Sequence, residues 1–288
     1  MMVFKPYGMF VASSDAGLRL ARRRAVFTIY KHEIKEYWKS LLIWAICVGG
    51  MGAMCILLFS SMKETMSGMT ESFASMGAFS DAFGMSQLSI ATLAGFYATE
   101  IGTIHGLGGA MFAAVVSANI LSKEEDGHTS EFLFSLPIRR EKAVFAKWSA
   151  AVSHILLFNL LCVLLYLVAI VALGEEMDFH RYFLYHIMQL LMQMEVAGIC
   201  FCISAFQKKN KLGLSLGVVL LLYAYDLMAR VVPDLADYKL FSPFSYANAA
   251  DLFSTGEIYL AGTVLGAAVL AAGVVVAHVI YGRKDLAV

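Results

Sequence analysis

Charge is scarce in this chain: 15% of its 288 residues are Asp, Glu, Lys or Arg, against 59% hydrophobic. With a mean hydropathy of +0.70, that balance excludes a soluble domain and points to a multi-span membrane protein. Catalytic signatures are also missing. There is no G-x-x-x-x-G-K-[ST] phosphate loop, no H-E-x-x-H and no G-x-S-x-G elbow, so no ATPase or hydrolase site is expected on the chain. Cysteines number five, and Cys47, Cys55, Cys162, Cys200 and Cys202 all lie inside apolar runs. Neither a disulfide framework nor a bound metal is expected from that placement. Near the start, Pro6 and Gly8 interrupt the only apolar patch, which leaves no continuous core for a signal peptide. The net charge of zero names no partner.

What is abundant is long apolar sequence. Runs able to cross about 30 Å of hydrocarbon, roughly 20 residues each, cover residues 41–59, 101–121, 148–173, 182–206, 212–231 and 259–281. Of the 22 Lys and Arg, Lys63, Arg181, Arg230 and Lys239 are the four in or beside the first, third and fifth connections. The other 18 collect at the termini and even connections, which the positive-inside rule makes cytoplasmic. The expected fold is an all-α integral membrane protein of the plasma membrane, with six spans and both termini cytoplasmic. Residues 1–25 read as a basic cytoplasmic arm and 26–288 as the six-span domain. Lipid accounts for the basic residues, so nucleic-acid binding is not expected.

Between 26 and 41, Val26, Phe27, Tyr30, Ile34, Tyr37, Trp38 and Leu41 share one helical face and the charges mostly the other, predicting an interfacial helix that runs into span one. Beyond span one, Met62, Met66, Met69, Phe73 and Met76 continue at helical spacing. Such a series either gathers soft sulfur for Cu(I) or is the apolar face of a prolonged helix; no His or Cys joins it, which favours the helix. Residues 233–258 are acidic and aromatic-rich and are expected to form short helices dipping back toward the outer surface.

Within the spans, Gly102, Gly106, Ala110 and Ala114 form a small-residue ridge that suits close packing, either between two subunits or within one. Ionisable and amide side chains in hydrocarbon are expensive and worth following. Glu195 falls near the middle of span four, opposite a polar stripe of Tyr182, His186, Gln189 and Gln193. Span four is therefore expected to be buried on two sides, with Glu195, Gln189, Gln193, His105 and Asp226 lining either the bundle interior or a path. A proton-coupled secondary transporter using Glu195, His105 or Asp226 is the alternative function.

The most charged segment, "SKEEDGHTSEFLFSLPIRREK" at 122–142, falls on the cytoplasmic connection between spans two and three. Span two is expected to run on to Asp126 and end at Gly127. A short helix follows, with Phe132, Leu133 and Leu136 as its apolar face, stopped by Pro137. Glu125, Glu131 and Arg139 are expected as a polar rim. A short amphipathic helix between two spans suits docking to a soluble partner.

The segment resembles the signature of type-2 permeases of ATP-binding-cassette transporters. The matching residues are Glu125, Gly127, Thr129, Glu131, the run 132–136, Pro137, Arg139 and Arg140. "KHEIKEYWKSLLIW" at 31–44, "AFGM" at 82–85, "GFYA" at 95–98 and "SPFSY" at 242–246 are similar to the same family. The resemblance implies a transport subunit without its own ATPase site and with no cofactor on this chain. It further implies a homodimer or heterodimer of permeases, separate ATPase subunits carrying ATP and Mg, a coupling helix in the second cytoplasmic connection, a re-entrant segment before span six, and export as the direction. The basic arm before Val26 departs from the family's usual short start.

Overall fold

The computed structural model describes residues 15–130 and 138–284. Among them every regular element is helical, and six helices are long and apolar enough to cross a membrane. These are span one (Arg22–Ala74), span two (Leu93–Ser117), span three (Arg140–Leu173), span four (Phe179–Phe206), span five (Leu212–Val231) and span six (Leu260–Arg283). Six crossings bring both ends of the described chain to one face. This face also collects most of the Lys and Arg and is called the basic face below.

Span four is the axis of the bundle. It packs against spans two, three and six, and its most apolar stretch is 61% buried, against 22% and 17% for spans five and six. The two-sided burial expected from its polar stripe is present: His186, Gln189 and Gln193 are buried, and so is Glu195. The fifth connection holds short helices at Pro233–Ala236 and Ala249–Ser254, with a 3-10 turn at Lys239–Phe241. Its Phe244, Tyr246, Leu252 and Phe253 are buried in the main core.

Two spans contain a wide π-helical turn, Ala45–Gly50 in span one and Tyr97–Ile101 in span two. A π turn shifts the helix register by one residue and is frequent at functional sites. Here Tyr166 of span three donates its hydroxyl to the carbonyl of Val48 at 3.3 Å, giving a backbone acceptor in the first π turn a partner. The second π turn begins at Tyr97, whose hydroxyl meets His186.

The interfacial segment runs into span one as expected, one helix extending from Asp15 through the π turn to Ala74. Two expectations are corrected. The faces of this segment are partly exchanged: Phe27 and Trp38 are exposed while Glu33 is buried, since two lysines on neighbouring elements claim the carboxylate. Span two does not run on to Asp126; it ends at Ser117, the chain turns, and a short helix follows at Lys123–Asp126. The hydroxyl of Ser204 on span four accepts the backbone N–H groups of Leu121 and Ser122 at 3.1 and 3.3 Å, which stabilises the turn. The short helix ends at Asp126 with Gly127 as its cap, as expected, and the left-handed residue is His128 beyond it, at φ 52°. The N–H of Thr129 returns to the carbonyl of Glu124 at 2.9 Å, a six-residue closure of the kind that follows a left-handed residue.

The methionine series does prolong span one, whose helix continues to Ala74. Met62 and Met69 are exposed along it.

Candidate functional site

Two polar assemblies stand out, one at the basic face and one inside the bundle. The first holds the connection between spans two and three. Lys147, near the start of span three, is 1% exposed. Its ammonium donates to Glu33 Oε1 at 2.6 Å and to Glu124 Oε1 at 2.7 Å. Lys123 donates to the other oxygen of Glu33 at 2.6 Å and also to Glu36. Glu124 takes a further bond from the Thr129 hydroxyl at 2.6 Å. Five carboxylate and ammonium groups from span one, the connection and span three thus form one chain of charge-assisted bonds, shorter and stronger than neutral ones.

A second branch ties the same connection to the C-terminal end. Lys284 donates to Glu125 Oε1 at 2.5 Å and to the carbonyl of Gln207 at 2.6 Å, while Arg140 donates to the carbonyl of Lys284 at 2.7 Å. The short helix Lys123–Asp126 is therefore clamped between span one, span three, the end of span four and the end of span six. Burial pulls the Lys123 ammonium down, but the Glu33 and Glu36 carboxylates more than offset this, and its pKa is raised. Burial pushes the Glu124 carboxyl up, and the Lys147 charge with the Thr129 bond reverses that, so it ends below the ordinary range. Both groups hold their charge throughout the neutral range.

The second assembly surrounds His105. Its Nε2 lies 3.2 Å from Asn159 Oδ1, and Asn159 Nδ2 donates to Gln193 Oε1 at 2.6 Å. Tyr97 and His186 form a neighbouring pair at 2.8 Å. Tyr166, Tyr182 and Tyr185 pack their rings around these two histidines. The bonds of this buried network tie spans two, three and four together, while His186 Nδ1 and the Tyr185 hydroxyl are buried without a hydrogen-bond partner among the described residues.

The sequence-predicted residues therefore separate. His105 and Gln193 meet directly at 3.4 Å and also through Asn159. Gln189 donates elsewhere, to the carbonyl of Ala247 at 2.8 Å. Glu195 accepts from the Tyr246 hydroxyl at 2.7 Å. Gly266 of span six lies so close that a Cβ there would sit 2.4 Å from the Glu195 carboxylate and 2.8 Å from the Tyr246 ring, so a larger residue would have to displace this pair. Asp226 pairs with Arg230 one turn along span five.

Other expectations change. Ala110 and Ala114 are fully buried within the chain, and Gly106 faces Gln189 and Gly102 faces Ala249, so the small-residue ridge packs against elements of its own chain. Glu125 is buried against Lys284 and does not form an exposed rim, whereas Arg139 is exposed just before span three. Glu131, Phe132, Leu133, Leu136 and Pro137 lie outside the described residues. Composition and periodicity missed Lys147, Glu33, Glu124, Asn159 and Tyr246. The one available signal was Lys147 itself, a charge directly before Trp148 at the mouth of an apolar run.

Six crossings, a polar interior and a clamped connection define a multi-pass α-helical membrane protein. A family model described as ABC-2 family transporter protein matches residues 27–286. The chain belongs to that family and is a transporter permease, a membrane subunit of a kind that works with an ATP-binding partner. No curated protein matches it.

Proposed function

We propose that the chain is the membrane subunit of an ATP-driven exporter, working as a dimer with separate ATPase subunits that dock at the basic face. Both termini are cytoplasmic in this reading, supported by the distribution of Lys and Arg. The observation that carries the proposal is the burial of Lys147 between Glu33 and Glu124. A connection that only joined two spans would have no use for charges held out of water, whose desolvation costs several kcal/mol per ion. A connection that receives force from a docked partner needs rigid attachment to the helices it moves. The Lys147 and Lys284 branches supply that attachment to spans one, three and six.

The docking element is assigned to residues 131–137, with Phe132, Leu133 and Leu136 as apolar anchors. The experiment is co-purification from native membranes with Phe132→Ala alongside the unaltered chain. The altered permease should insert normally and lose its ATPase, a loss of about 2 kcal/mol in docking energy. Retention of the ATPase at wild-type level, with full transport, would move the docking element elsewhere.

A further inference from the structure

On the basic face, an open groove of about 680 Å³ lies between the start of span one and the start of span three. Its floor is apolar, built from Val26, Phe27, Tyr30, Ile138, Phe145 and Ala146. Phe27 and Phe145 are 62% and 55% exposed, a large aromatic surface to leave uncovered. Around the floor stand Arg22, Arg23, Arg139 and Lys142, and no Asp or Glu lines the groove among the described residues. These four cations are exposed, and no described ion pair includes them. The lysines nearby, Lys123, Lys147 and Lys284, each have a carboxylate.

We infer that this groove binds one anionic phospholipid, its phosphate held by Arg23, Arg139 and Lys142 and the glycerol ends of its acyl chains lying over Phe27 and Phe145. Depth agrees with this occupant. Trp148, the kind of residue that marks the headgroup level, precedes the long apolar stretch of span three, and Phe145 and Lys142 lie one and two turns further toward the basic face. At about 1.5 Å per residue, those turns cover the headgroup layer. Charge decides against the chain's own first 14 residues as occupant: Lys5 is their only charged side chain, which would add a cation to a ring of cations. The site adjoins residue 138, so a lipid bound there would brace the end of the connection that carries 131–137.

The test is photo-crosslinking from benzoylphenylalanine placed at Phe145 in the full chain, reconstituted in bilayers of phosphatidylcholine with and without phosphatidylglycerol. The expected adduct has the mass of phosphatidylglycerol. It should weaken by about fivefold for each cation removed, in Arg23→Gln, Arg139→Gln and Lys142→Gln, the step expected for one basic residue near an anionic surface. Lys35→Gln or Lys39→Gln, the same charge change outside the groove, should leave the adduct unchanged. Equal labelling of both lipids, an adduct to the chain's own N-terminal peptide, or an adduct to another protein would each overturn the assignment.

Discussion

Replacing Lys147 by Met keeps the length and apolar stem of the side chain and removes the charge. Two carboxylates then lose a partner, Glu33 at 2.6 Å and Glu124 at 2.7 Å, with Glu33 itself 1% exposed. Removing one member of a buried ion pair costs about 3–5 kcal/mol, because an uncompensated charge stays out of water. Glu33 keeps Lys123 on its other oxygen, which places Lys147→Met at the low end, about 3 kcal/mol. The comparison is Lys63→Met on the opposite face, where Lys63 meets Glu175 at the same 2.6 Å but the side chains are 44% and 31% exposed. That pair should contribute under about 1 kcal/mol. Equilibrium unfolding in mixed detergent micelles measures both. Combining Lys147→Met with Glu33→Gln should restore part of the loss, since the second change removes the stranded charge. If Lys147→Met costs no more than Lys63→Met, burial does not govern these contacts and the clamp argument fails.

Stability against pH follows from the two shifted groups of the clamp. Glu124 is lowered in the fold, so its contribution is complete above the ordinary carboxylate range and is lost as pH falls through the depressed folded value. Lys123 is raised, so its contribution is complete below the ordinary lysine range and is lost as pH rises through the higher folded value. The clamp should therefore hold steady from about pH 5 to 9, and a slope between pH 6 and 8 that vanishes in Glu124→Gln would contradict this. Inside the bundle, Glu195→Leu strands the Tyr246 hydroxyl and should cost about 1–3 kcal/mol, while Glu195→Gln keeps an acceptor and should cost under about 1 kcal/mol. Identical unfolding midpoints for the two would remove the structural role of that bond, and normal folding of Glu195→Gln with lost transport would assign its charge to the path. Gly106→Leu should lower the yield of folded protein by overpacking against Gln189, at about 1–3 kcal/mol; a well-folded variant that merely separates into monomers would return the ridge to a subunit interface.

The sequence made the spans legible because apolar length is a local property: spans four, five and six lie within a few residues of their expected bounds, while the helices of spans one, two and three begin well before the apolar runs they contain. Span four was also readable: one polar stripe and one opposing Glu on the same helix required protein on both sides. Partners across helices were not readable. Nothing local in Lys147 says that it will meet Glu33, and the helical-face argument placed Glu33 in solvent because it counted hydrophobicity and not ion pairing. The turn after Ser117 escaped for a similar reason, since its stabilising acceptor, Ser204, comes from span four. The ridge of Gly102, Gly106, Ala110 and Ala114 signalled close packing correctly, but spacing carries no information on whether the neighbour belongs to the same chain.

The separation of Glu33 and Lys147 by 114 residues has a consequence for biosynthesis. At about 5–20 residues per second, Glu33 leaves the ribosome on the order of 6–20 s before its lysine. Through that interval its carboxylate must stay hydrated, and the clamp closes only after span three has arrived with Lys147 on the same side of the membrane as Glu33. A chain that inserts span three upside down would place Lys147 across the bilayer from Glu33 and Glu124, leaving Lys147 without a carboxylate, Glu124 without its lysine and Glu33 with Lys123 alone. The ion pairs thus act as a proofreading step for topology, favouring the correctly threaded chain before the later spans pack around it.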